Sequence, residues 1–182
     1  LGAVSMAISK YKSLSILFNN VAIQPPDSYL DAVDLPEEMW DQIINVNLKS
    51  RYLMAKFSIP HMKKLGKGVI ISVASVQGLQ SMPLVPAYAA SKGGDLSLMR
   101  QMSLDFAKDN IRFASINPGT IETPMVFNAL EGTGEKIEEG LINSAQAHPL
   151  GRNGKPEEIA KMALFLSSDN AQFITGSHFN VD

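Results

Sequence analysis

GVIISVAS, residues 68–75, is a short apolar run that closes on a serine. Such a run, bounded by turn residues, reads as a buried strand. Three further stretches share its character: SLSILFNN at 13–20, IRFASINPG at 111–119 and FITGSHFNVD at 173–182. The strand segments are apolar throughout rather than alternating, the pattern of a parallel sheet covered on both faces. Stretches with helical spacing separate them. The expected fold is therefore α/β, a doubly wound parallel sheet in three αβα layers, forming one domain over residues 1–182. In such sheets ligands bind beyond the carboxyl ends of the strands. Here those ends are Asn19 and Asn20, Ser75, and residues 117–120.

Outward from the strands, apolar residues recur at helical spacing from Pro36 to about Met62 (Trp40, Ile43, Ile44, Val46, Leu48, Leu53, Met54, Phe57), after a Pro- and Asp-rich loop at 24–36. A second long helix is expected over 87–109, with Leu96, Leu98, Met99, Met102, Leu104 and Phe106 as its buried positions. KPEEIAKMALFLSS, with Pro and two Glu at its start, is a third helix. The intervening stretch 120–150 is polar, contains glycine and is longer than most connections, the character of a lid.

Composition excludes several classes. The chain of 182 residues is 45% apolar and 19% charged, with net charge −2, so no basic stripe offers itself to nucleic acid. It has no cysteine, which excludes disulfides and thiolate metal sites and suits a reducing compartment, the cytoplasm by default. Residues 1–10 lack a basic leader, and no stretch approaches the ~18 consecutive apolar residues of a membrane span. None of the three His stands in a metal-ligand pattern; His61, His148 and His178 read as caps or surface residues.

The chemistry centres on AYAASKGGDL, residues 87–96, where Tyr88 and Lys92 share one helix face at i and i+4. A phenol ionises near pH 10, and a cation within about 4–6 Å lowers that by roughly 1–3 units, bringing Tyr88 toward acid–base work near neutrality. A lone Tyr–Lys pair more often sits in solvent. Ser75, at a strand end one connection upstream, could turn its hydroxyl to the same place, or simply cap a turn. Asn47 lies on the helix face of Trp40, Ile43, Ile44 and Leu48, and a buried amide there must find partners, as a satisfied core group or as a proton relay. NNVA at 19–22 and NPG at 117–119 read individually as turns.

Taken in order, these residues resemble the short-chain dehydrogenase/reductase family, with a Rossmann-like fold, from about residue 11 to the last. YAASKGG holds its Tyr-x-x-x-Lys pair; Ser75 and Asn47 fall at its catalytic serine and asparagine, and PLGRNGKPEEIAKMALFLSSDNAQFITGSHFNVD is similar to its C-terminal segment. NNVA departs from the family's Asn-Asn-Ala-Gly, with Val21 and Ala22 adding bulk beside the cofactor. The resemblance implies an NAD- or NADP-dependent oxidoreductase acting on the carbonyl or alcohol of a small molecule, with cofactor preference and direction unread. It assigns catalysis to Asn47, Ser75, Tyr88 and Lys92. It assigns cofactor contact to Asn19, Asn20, Val21, Ala22, Tyr88, Lys92, Pro118, Gly119, Ile121 and Thr123. Tyr88 would move the proton, Ser75 orient the substrate oxygen, Lys92 hold the ribose, and Asn47 hold a water. The family also pairs the two long helices into dimers and tetramers.

One part of the pattern is missing. A dinucleotide's pyrophosphate needs a strand, a glycine-rich turn and a helix N-terminus. The nearest match, EGTGEK at 131–136, follows no strand and reads as loop. The chain accordingly reads as N-terminally incomplete, beginning in the helix before the strand at 14–18, and is expected to bind NAD(P)H weakly in isolation. The competing reading is a cofactor-less remnant serving as a binding or oligomerisation module.

Overall fold

The computed structural model describes residues 2–132, 134 and 136–182. Helix α1 (Gly2–Tyr11) leads into strand β1 (Ile16–Asn19). Helix α2 (Glu37–Ile44), a π turn (Asn45–Lys49) and helix α3 (Ser50–Leu65) follow as one continuous rod, then strand β2 (Gly68–Val73). Helix α4 (Pro86–Phe106) precedes strand β3 (Ile111–Pro118). Helices α5 (Pro124–Gly132), α6 (Ile137–Gln146) and α7 (Pro156–Ser167) separate it from strand β4 (Ser177–Val181). The strands pair in parallel in the order β1-β2-β3-β4. Thr133 and Glu135 of the 131–136 stretch lie outside the described residues, as does Leu1.

Alternation along the central strands builds two cores, one on each face. Ile70 and Phe113 point into a cluster with Leu17, Ala55, Ile59, Met62, Met99, Met102 and Ile111, packed under α3 and α4. Val69, Ile71, Ala114 and Ile116 point the other way, against Ile121, Ile159 and Leu166 of the α7 side. These are the three layers read from the apolar runs. The Arg112 guanidinium ties β3 to the α7 side by donating to the carbonyls of Ile174, Leu166 and Ser168.

The helices differ from expectation in detail. The first long rod runs past Met62, through Pro60, to Leu65, where Gly66 ends it with φ 73°, a left-handed conformation that glycine adopts without a Cβ penalty. Leu104, read as buried, is 78% exposed, and Trp40 and Leu53 of the first apolar series are 39% and 36% exposed. Each rod carries more apolar positions than one sheet face covers, so the surplus faces outward. The final strand is shorter than its apolar run, with Phe173 exposed ahead of it.

Gly78 sets the depth at which the 76–78 turn seats on α4. A Cβ there would lie 2.8 Å from both the carbonyl carbon and oxygen of Lys92. The turn that follows β2 thus rests directly on the helix turn that carries Lys92, which places Ser75 beside Tyr88.

Candidate active site

A cavity of about 610 Å³ opens at the carboxyl ends of β1, β2 and β3, where a doubly wound sheet places its ligands. Of the residues singled out in the sequence, Asn20, Val21, Ala22, Ser75, Tyr88, Lys92, Pro118, Gly119, Ile121 and Thr123 all line it. Phe18 near the end of β1, Met125 and Val126 in the segment after β3, and Ile159 of α7 complete much of the apolar wall.

Two residues lie elsewhere. Asn19 is buried in the last position of β1 and is absent from the cavity wall, because strand alternation turns it away from the side that Asn20 faces; its Nδ2 has no hydrogen-bond partner. Asn47 is fully buried in the π turn, where its side-chain amide joins protein groups. Its Oδ1 accepts from the Ile23 N–H at 2.8 Å, and its Nδ2 donates to the Ile23 carbonyl at 2.9 Å and to Ser91 Oγ at 3.3 Å.

Ser75 caps the short turn after β2, its Oγ accepting from the Gln77 N–H at 3.1 Å, and it lines the same cavity as Tyr88. The Lys92 ammonium lies 5.4 Å from the centroid of the Tyr88 ring and donates to the Val73 carbonyl at 2.9 Å. The expected lowering of the phenol's pKa by Lys92 does not appear. Burial pushes Tyr88 up to about 12, with Tyr29 adding to the rise, while Ser75 and Arg51 pull it down. Burial and the neighbouring Arg51 guanidinium bring Lys92 down to about 8, against Asp95, which pulls it up. Lys92, brought down to about 8, has lost its charge before the phenol ionises near 12, so it lends Tyr88 no cation there and desolvation prevails.

Arg51 and Asp95 were not singled out in the sequence. Both are buried, at 2% and 0% exposure, with Arg51 Nε 3.8 Å from Asp95 Oδ2. A signal for them existed: Arg51 continues the buried stripe Ile43, Asn47, Ala55, Ile59 at i+4 steps, and Asp95 lies between Lys92 and Met99. His148 also departs from a plain surface role. Its side chain is 8% exposed, its Nδ1 meets the Asp182 carboxylate, and its Nε2 accepts from the Thr120 N–H at 3.1 Å, pinning the loop after β3.

A serine, a half-buried tyrosine and a buried lysine thus meet in one cavity at the carboxyl edge of a parallel sheet, where doubly wound folds bind their ligands. A family model described as enoyl-(acyl carrier protein) reductase matches residues 2–182. The chain is 38% identical over 180 residues to the 3-oxoacyl-[acyl-carrier-protein] reductase FabG of Thermotoga maritima, covering 98% of this chain and 69% of that protein. It is 34% identical over 184 residues to the cyclohexanol dehydrogenase of an Acinetobacter species, covering 99% and 67%. Among solved structures, the ligand-free aldohexose dehydrogenase of Thermoplasma acidophilum superposes with a TM-score of 0.93 at 33% identity, covering 100% of this chain and 71% of that one. The 3-ketoacyl-(acyl-carrier-protein) reductase of Brucella melitensis, complexed with NADH, gives 0.87 at 32%, with the same coverage. The chain belongs to the short-chain dehydrogenase/reductase family, oxidoreductases that use NAD or NADP.

The residues present fit the nicotinamide end of that cofactor. The cavity has the size and apolar lining of a small-molecule site, and among the described residues Lys92 uses one of its three ammonium donors, on the Val73 carbonyl. These 182 residues contain no glycine-rich turn of the kind that cradles a pyrophosphate.

Proposed function

We propose that this chain carries the acid–base and nicotinamide-facing machinery of an enzyme that interconverts a small carbonyl compound and its secondary alcohol. The observation that supports this most directly is the convergence of Ser75, Tyr88 and Lys92 on one cavity that Asn20, Val21, Ala22, Pro118, Gly119, Ile121 and Thr123 also line. When bound, the cofactor supplies or accepts the hydride. Val21, Ala22, Pro118, Gly119, Ile121 and Thr123 hold its nicotinamide end, and the spare Lys92 donors hold ribose hydroxyls. Ser75 donates to the substrate oxygen; Tyr88 delivers a proton to that oxygen in reduction and removes it in oxidation. Asn47 is a positioning residue, holding the Ile23 backbone and Ser91.

The segment 120–150 serves as a lid within a single domain. Thr123, Pro124, Met125 and Val126 already line the cavity, and a Cβ on Gly132 would come within 2.6 Å of Pro26, so α5 packs closely on the loop opposite. Their apolar side chains suit a substrate with a hydrocarbon flank. Outward-facing Tyr52, Leu53 and Leu104 on the long helices support assembly into a homo-oligomer. Among the described residues no helix is long and apolar enough to cross a membrane, and the absence of cysteine suits the cytoplasm.

Turnover decides the reading. NADH- and NADPH-dependent reduction of a 3-oxoacyl thioester, cyclohexanone and an aldohexose would be followed for this chain and for the same chain preceded by a strand, glycine-rich turn and helix. Reduction by the extended chain that falls ~100- to 10,000-fold in Tyr88→Phe supports it. Undiminished reduction in Tyr88→Phe, or no reduction with any of the three, overturns it.

A further inference from the structure

Beneath the cavity floor lies a second set of ionisable groups that the proposed reaction does not use. Asp95 follows Lys92 by one helix turn in α4, and its Oδ2 accepts from Ser72 Oγ at 2.6 Å. Ser72 precedes Val73, whose carbonyl takes the Lys92 ammonium at 2.9 Å. Arg51, from the first turn of α3, completes the group with its Nε 3.8 Å from the same Asp95 oxygen. Arg51 Nε and Nη2 and Asp95 Oδ1 are buried without hydrogen-bond partners. A buried charge pair so poorly satisfied is weak as a stabilising device, since apolar side chains of similar volume commonly serve a core at least as well. Its position points to a different use.

We propose that Arg51 and Asp95 are positioning residues that set the charge balance of the Lys92–Tyr88 pair: Arg51 is the added cation that favours the phenolate, and Asp95 the anion that keeps Lys92 an ammonium. This deepens the reading of Tyr88 as the acid–base group and rests on it. The charges acting on Lys92 are Arg51 and Asp95, one from α3 and one from its own helix; those acting on Tyr88 are Arg51 and, from the loop after β1, Tyr29, with the Ser75 hydroxyl from the end of β2. Arg51 opposes the charge on Lys92 and favours the charge on Tyr88, while Asp95 favours the charge on Lys92. The two residues therefore act on Lys92 in opposite senses. Opposite shifts of Lys92 on removing the two charges one at a time are therefore the signature that a contribution confined to packing would not give.

The test reads each group directly. Lys92 is titrated through its side-chain 13Cε resonance, assigned with Lys92→Met, and Tyr88 through tyrosinate absorbance, assigned among the four tyrosines with Tyr88→Phe. Asp95→Asn keeps an acceptor for Ser72 and removes the charge; the Lys92 midpoint is expected to fall by about one pH unit or more. Arg51→Gln is expected to raise both the Lys92 and the Tyr88 midpoints. Should either single variant fail to fold, Arg51→Met/Asp95→Leu removes both charges together, and the Tyr88 midpoint is still expected to rise. Unmoved midpoints, or shifts of Lys92 in the same direction for both single variants, overturn the proposal. Turnover by Tyr88→Phe separately tests the acid–base reading, so the two can fail independently.

Discussion

The Asn47 side chain holds both backbone groups of Ile23, accepting its N–H at 2.8 Å and donating to its carbonyl at 2.9 Å. The same amide nitrogen reaches Ser91 Oγ at 3.3 Å, and Ser91 in turn donates to the Tyr88 carbonyl at 2.7 Å. One residue in the π turn thus joins the loop after β1, which lines the cavity, to the helix turn that bears Tyr88. Asn47→Leu strands the Ile23 N–H and carbonyl away from water, where each unmet group costs about 1–3 kcal/mol. A loss of roughly 2–4 kcal/mol in urea unfolding is expected. A loss below about 1 kcal/mol would mean that the loop finds other partners.

The pH dependence of stability should change sign above neutrality. Lys92 titrates near 8 when folded against its ordinary value of 10.5, so the unfolded chain binds more protons between those values and stability rises with pH there. Tyr88 titrates near 12 when folded against its ordinary 10.0, so the folded chain keeps its proton longer and stability falls with pH between those values. Unfolding midpoints across this range should show the rise vanish in Lys92→Met and the fall vanish in Tyr88→Phe.

Gly78→Ala tests the seating of the serine-bearing turn. Its added methyl would meet the Lys92 backbone at 2.8 Å, and backbone cannot swing aside as a side chain can. Overpacking of this kind costs typically about 1–3 kcal/mol. Because the contact lies at Lys92 itself, catalysis is expected to fall further than stability implies. Thermal unfolding together with turnover checks this; wild-type values in both would show that the turn has room to move.

Ile70→Ala and Leu104→Ala contrast two apolar residues that the sequence treats alike. Ile70 is fully buried at the sheet centre, and its truncation should cost about 2–5 kcal/mol. Leu104 is 78% exposed in the single chain, so in the dissociated protomer its truncation should change stability by no more than about 0.5 kcal/mol, a larger cost being expected only where the proposed homo-oligomer covers it. Chemical denaturation of the two variants measures both, and a large cost at Leu104 would reveal a partner covering it.

The order of strands and helices was legible because each depends on near neighbours. Unbroken apolar runs such as 68–75 mark strands buried on both faces, and i, i+4 spacing alone brings Tyr88 and Lys92 onto one helix face. Strand ends place Ser75, Asn20 and Pro118 at one edge of the sheet wherever the strands run parallel. Tertiary structure decided what depends on distant segments. Periodicity shows that a helix has an apolar side, but the extent of sheet beneath it determines that Leu104 faces outward while Met102 is buried. Strand alternation turned Asn19 out of the cavity, and the approach of α3 to α4 brought Arg51 to Asp95. The acidity of Tyr88 belongs to this second group. Spacing can place a cation near a phenol, but desolvation by the surrounding elements decides how strongly each group holds its proton.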